Sequence, residues 1–138
     1  EIVPMVNQVE THVFNQQREA RKFMDGLGTH IMSWGPLAEG RNGLFTHPVL
    51  AQIGEKHGKT IAQVALRWLL QCGVIIIPKS THKERMEENI NLFDFELDAE
   101  DMRSIASLDT GRSLFFDHHD GEVAKQFMEW RGLVKATE

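Results

Sequence analysis

The chain has 138 residues, and its 15 Lys and Arg against 20 Asp and Glu give a formal net charge of -5. That balance excludes nucleic acid as the main partner, because phosphate contacts need a clustered excess of cations. A hydrophobic share of 41% excludes disorder, the single Cys72 excludes a disulfide framework or multi-thiolate zinc site and suits a reducing, cytoplasmic compartment, and the short apolar runs exclude a membrane span.

The opening Glu1-Ile2-Val3-Pro4-Met5 lacks an initiator Met and reads as the interior of a longer protein, so a fragment is expected. Met5 to Glu10 predicts a buried strand with polar Asn7, Gln8 and Glu10 at its carboxyl end. Asn15 is placed to cap a helix through about Asp25, with Ala20, Phe23, Met24 and Leu27 as its buried stripe. His30 to Trp34 repeats the strand signal, ends in Gly35-Pro36-Leu37, and leads into a Gly-rich loop to Thr46. A short helix is expected from Pro48 to Lys56, and Thr60 caps a strongly apolar one from Ile61 to Gln71, closed by Gly73. Val74 to Ile77 is β-branched throughout without alternation, the pattern of a parallel strand buried on both faces. A charged helix with a solvated face follows from His82 to about Leu92, and Asp98 with Asp101 opens a last helix to Leu108.

The tail, residues 111–138, holds Leu114-Phe115-Phe116, then Asp117-His118-His119-Asp120, then a weak helical stripe of Val123, Phe127 and Trp130. It reads as an irregular segment packing onto something larger, separate from the βα units of residues 1–110. The order βα, βα(α), βα, α defines an α/β fold with a parallel sheet and right-handed crossovers. A strand as apolar as Val74 to Ile77 needs neighbours on both sides, and only two other strands are present. A (β/α)8 barrel takes roughly 250 residues, so about three of its eight units are expected here.

Polar residues gather where strands end, the edge at which parallel α/β folds bind ligands. After the third strand, Lys79, Ser80 and Thr81 precede a helix start followed by Arg85, Glu88 and Asn89. A cation, two hydroxyls and free helix N–H groups make an anion site, Arg85 can grip a phosphate through its planar fork, and Glu88 and Asn89 can read a heterocycle edge. The alternative is that Arg85 merely pairs with Glu84 or Glu88 on a wet surface. Trp34 either stacks on a flat ring or is an ordinary core residue, and Gln8 either recognises a carboxamide or satisfies loop backbone. His118 and His119 fit a solvated turn better than a metal site, and Cys72 fits a buried thiol better than a nucleophile. Glu10 and His12 either line a substrate mouth or order the loop.

The segments Val6-Asn7-Gln8-Val9-Glu10-Thr11-His12, Ser33-Trp34-Gly35-Pro36-Leu37 and Ile77-Pro78-Lys79-Ser80-Thr81, with Arg85, Glu88 and Asn89, resemble the aldo-keto reductase family over nearly the whole chain. The likeness is to bacterial members that reduce small aldehydes and diketo sugars. It implies a (β/α)8 barrel reducing carbonyls with NADPH, of which this chain corresponds to strands six, seven and eight, their helices and the tail over the barrel mouth. By the same resemblance Gln8 would bond the nicotinamide carboxamide and Trp34 would stand for the stacking aromatic, usually Tyr. Gly35, where many members have Ser, and Leu37 would border the pyrophosphate. Lys79, Ser80 and Arg85, with Thr81 beside them, would hold the 2′-phosphate of NADP, and Glu88 and Asn89 would contact adenine.

The family's catalytic Tyr, Lys, Asp and His belong to the first half of the barrel, and this chain has no Tyr. Without a proton donor for the developing alkoxide, the chain alone is expected to be inactive. Its expected partners are a small carbonyl substrate and either the missing N-terminal barrel half or another copy joined through open strand edges. The rival reading is a non-catalytic nucleotide- or phosphate-binding module that associates with a partner chain.

Overall fold

Strand β1 (Val6–Glu10) and strand β2 (His30–Trp34) lie parallel, with Val6 opposite His30 and Glu10 opposite Trp34. The computed structural model describes residues 2–117, 120–123 and 125–127. On the other side of β2 the third segment pairs only through Ile75, whose N–H donates to Ile31 O at 2.9 Å and whose carbonyl accepts from Ser33 N–H at 2.8 Å. The four-residue strand expected at Val74 to Ile77 is thus corrected to a single bridge. Val74 is buried but Ile77 is 57% exposed, because no described strand pairs with the far edge of this segment.

β1 also departs from expectation. Its first three residues are exposed and only Glu10 is buried, since helix α1 (Arg18–Asp25) packs chiefly against β2. Asn15 does not cap α1. Its backbone pairs with that of His12 in both directions, and the His12 ring Nδ1 accepts the Phe14 and Asn15 N–H groups, each at 3.2 Å. These bonds hold the chain in a tight turn before the helix, which starts after Gln17 with no side-chain cap. The expected buried stripe forms only in part: Ala20 and Met24 pack, partly buried, against the core, while Phe23 is 71% and Leu27 55% exposed.

Below the sheet the sequence signals hold. Tight turns over Ala38–Thr46 bury Ala38 and Leu44, and α2 (Pro48–His57) follows with Pro48 in its first turn, where a missing N–H costs nothing. α3 (Ile61–Gln71) is the central helix, burying Val64, Ala65, Leu66, Trp68 and Leu69. Thr60 and Gln63 form a reciprocal capping box at its start. One apolar cluster joins α3 to Phe14, Ile31, Leu50, Ile53, Val74, Leu97 and Ile105. α5 (Ala99–Ala106) opens on the expected Asp98 and Asp101 box, and Asp101 receives Lys56 at 2.9 Å and His57 at 2.7 Å.

The position of α4 (Lys83–Ile90) follows from one polar stripe on α3. Gln63, Arg67 and Gln71 are four apart and therefore share a face. Gln63 Nε2 donates to the Glu88 and Asn91 carbonyls, Arg67 to the Leu92 carbonyl, and Gln71 takes the Leu97 N–H while donating to its carbonyl. These bonds satisfy a connecting segment that has no ladder of its own.

The described start of the tail, residues 113–116, folds back over the carboxyl ends of β1 and β2. Ser113 Oγ donates to the Glu10 carboxylate, Leu114 N–H donates to Glu10 Oε1 at 2.9 Å, and Arg41 holds the Leu114 carbonyl at 2.8 Å. His118, His119 and Trp130 lie outside the described residues.

Candidate functional site

A cleft of about 680 Å³ opens between the end of β2, the turns that follow it, the start of α3, and α4 with the segment before it. Gly35 and Leu37 line it from the turn just after β2, and Lys79, Ser80 and Thr81 from the segment after Ile77. Arg85, Glu88 and Asn89 face it from α4. Residues up to 54 positions apart in the chain thus meet at one strand edge because the parallel pairing of β2 with Ile75 sets their exits side by side.

Lys79 and Arg85 are exposed, and among the described residues neither side chain forms a hydrogen bond or ion pair. The surface pairing of Arg85 with Glu84 or Glu88 does not occur. Lys83 instead pairs with Glu87 at 3.7 Å, and the Glu88 carboxylate accepts the Thr60 hydroxyl. No side chain caps α4, and Ser80 Oγ accepts the His82 N–H at 3.0 Å at its entry. Two unpaired cations beside an uncapped helix start, with a carboxylate and a carboxamide one turn on, can take an anion carrying a polar ring.

Gln8 and Trp34 do not line the cleft. Gln8 is exposed on β1. Trp34 is half-buried by the tail, with the Phe115 ring edge-on at 4.8 Å and the Phe116 ring stacked at 5.9 Å between centroids. Arg41 lies 4.1 Å from the Phe115 ring centre, a cation–π contact that helps hold that ring. Gly35 has φ +66°, and a Cβ there would touch the Phe115 ring at 3.5 Å.

Glu10 and His12 are both buried, 2.8 Å apart, and order the loop and tail instead of lining the cleft. Because His12 Nδ1 accepts two backbone N–H groups, its proton sits on Nε2 and is given to Glu10. Burial pushes the His12 pKa down against the opposing pull of Glu10. Burial alone would raise Glu10, but its bonds from Ser113, Leu114 and His12 outweigh that and bring it below the usual carboxylate value. Sequence reading missed the Ser113 partner, which lies 103 residues away with no local signal. Burial raises the Cys72 thiol pKa, with Arg21 opposing, so the reactive thiolate is disfavoured. Among the described residues no cluster of three or more His, Cys, Asp or Glu could hold a metal ion, and no helix is long and apolar enough to cross a membrane.

A parallel α/β sheet with a cation-lined cleft at its carboxyl edge places the chain among the α/β proteins that bind ligands where strands end. Its family is narrower: the chain belongs to the Aldo/keto reductase family, whose profile matches residues 1–110. It is 51% identical over 108 residues to a glyoxal reductase of Bacillus subtilis, covering 78% of this chain and 38% of that protein. It is 40% identical over 113 residues to methylglyoxal reductase DkgA of Salmonella typhimurium, covering 82% of this chain and 41% of that protein. Among solved structures, MGS-M4, an aldo-keto reductase from a deep-sea metagenome library, superposes with a TM-score of 0.82 at 40% identity over 87% of this chain and 45% of that one. A variant of Gox0644 in complex with NADPH gives 0.79 at 41% identity over 84% and 42%. The chain spans about 40% of the length of the curated relatives it matches.

Proposed function

We infer that this chain is the C-terminal part of an NADPH-dependent aldo-keto reductase barrel, supplying strands six to eight and the grip on the adenosine end of the cofactor. The observation that carries this reading is one cleft lined by two unpaired cations, Lys79 and Arg85, and by Glu88 and Asn89. A 2′-phosphate needs charge and donors, which Lys79, Ser80, Thr81 and Arg85 supply. An adenine edge needs an acceptor and a donor, which Glu88 and Asn89 supply. Gly35 and Leu37 border the path to the pyrophosphate, and Gln8 and Trp34 belong to the nicotinamide end. When bound, the nicotinamide supplies hydride for the carbonyl of a small aldehyde or ketone. The single cysteine fits a cytoplasmic setting.

The chain contains no tyrosine to protonate the alkoxide, so reduction requires residues from the missing barrel half. The same fact favours the second reading, a binding module without a reaction of its own. Titration of the full chain with adenosine 2′,5′-bisphosphate and with AMP tests the grip. The 2′-phosphorylated compound should bind at least about tenfold tighter, from charge-assisted bonds of roughly 1.5–3 kcal/mol each, and Arg85→Ala should remove most of the difference. Equal affinities would defeat the phosphate assignment. Mixing with a chain carrying the other five βα units should restore NADPH-dependent carbonyl reduction, and a folded but inactive mixture would favour the binding module.

A further inference from the structure

We propose that Thr60 and Gln63, the capping box of α3, are positioning residues that aim Glu88 at the amino group of a 6-aminopurine, so that base selectivity in the cleft is set from α3. This rests on the nucleotide reading above and extends it to residues outside α4.

Helix α4 carries the base-reading side chains and yet buries no residue, with Met86 49% and Ile90 71% exposed. Apolar packing therefore does little to fix it. Its fastening is polar and comes from α3. Gln63, 6% exposed, donates through Nε2 to Glu88 O at 3.2 Å and Asn91 O at 3.0 Å, and its Oε1 accepts the Thr60 N–H at 3.1 Å. Thr60 Oγ1 accepts the Gln63 N–H at 3.2 Å and gives its one proton to Glu88 Oε1. A hydroxyl whose proton is committed to one carboxylate oxygen pins that carboxylate and leaves Oε2 as an acceptor. Thr60 itself lines the cleft beside Glu88 and Asn89. An exocyclic amino group satisfies such an acceptor, whereas the carbonyl of a 6-oxopurine meets it with like polarity.

The two roles of Thr60 separate by substitution. Glycine is tolerated at a helix N-cap nearly as well as threonine but has no hydroxyl to give Glu88, while serine keeps both functions. Binding of adenosine 2′,5′-bisphosphate, its inosine counterpart and AMP to the full chain is measured by titration calorimetry, with helicity and melting followed by circular dichroism. Wild type should favour adenine over hypoxanthine by about tenfold. Thr60→Gly should bring that ratio close to one while retaining the preference for the 2′-phosphate, and Thr60→Ser should restore it. Gln63→Met, which keeps the side-chain length without the amide, should also flatten the base ratio.

Unchanged base selectivity in Thr60→Gly overturns the proposal, and so does a parallel loss of base and 2′-phosphate selectivity, which a general loosening of the fold would give. A wild type that selects the 2′-phosphate but not the base refutes the positioning role alone. A wild type that selects neither refutes the nucleotide reading and this inference with it.

Discussion

Gly54 lies in α2 where the chain turns back toward α3, and a Cβ there would sit 2.5 Å from the Lys59 carbonyl oxygen. Backbone cannot yield as a side-chain tip can, so Gly54→Ala should destabilise the chain by about 1–3 kcal/mol in urea unfolding. A midpoint equal to wild type would show that the turn before Thr60 gives way freely. Trp68 is the largest fully buried side chain among the described residues, and Trp68→Ala should cost about 3–5 kcal/mol in the same measurement. At this scale the cleft's chemistry was readable, because Lys79, Ser80, Thr81, Arg85, Glu88 and Asn89 lie within one short stretch whose residue types state their own donors and acceptors. Glu10 and His12 were not, because their role depends on Ser113 and Leu114, far along the chain.

Among the elements, the helix starts of α3 and α5 were legible because capping is a local exchange between a side chain and N–H groups three residues away. The start of α1 was not, since the buried His12 ring competes for the same backbone. The tail strap is the element most open to pH. Glu10 and His12 both have folded pKa values below their ordinary ones, so the folded state binds fewer protons than the unfolded chain as pH falls. Their stabilisation is complete above the ordinary histidine value of 6.5 and is lost progressively on acidification. Lowering pH from 7 toward 4 should release Ser113 and Leu114 and expose Trp34, read as a red shift and quenching of tryptophan emission. Glu10→Gln, which cannot ionise, should weaken the pH response, and an unaltered response would place the transition elsewhere. The Asp98 carboxyl, held down to about 2 by the Lys56 ammonium and by backbone N–H groups, keeps its contribution over that whole range.

For the molecule as a whole, the proposal that Trp34 serves the nicotinamide end makes the Phe115-Phe116 segment a competitor for that ring. Phe116 stacks on Trp34 and Phe115 meets it edge-on. Phe116→Ala should therefore raise the affinity for NADPH severalfold and leave that for adenosine 2′,5′-bisphosphate unchanged. An equal effect on both ligands would show that the tail acts on the fold and not on the ring face. The open flank beyond Ile75 belongs to this scale as well. A segment as apolar as Val74 to Ile77 is written for burial on both sides, and Ile77 stays exposed where no described strand meets it.

Local chemistry needs only neighbours in sequence, which is why the chain by itself determined the α/β class, the capped helices α3 and α5, and the cluster of groups suited to a phosphate and a polar ring. Tertiary structure alone decided that α4 hangs from the Gln63 amide, that Glu88 answers to Thr60, that a strand signal becomes a single bridge, and that the tail lies on Trp34. Each of these outcomes depends on groups distant in sequence meeting across the sheet edge or a helix face, and burial and hydrogen bonding assign partners only after the chain has brought them together.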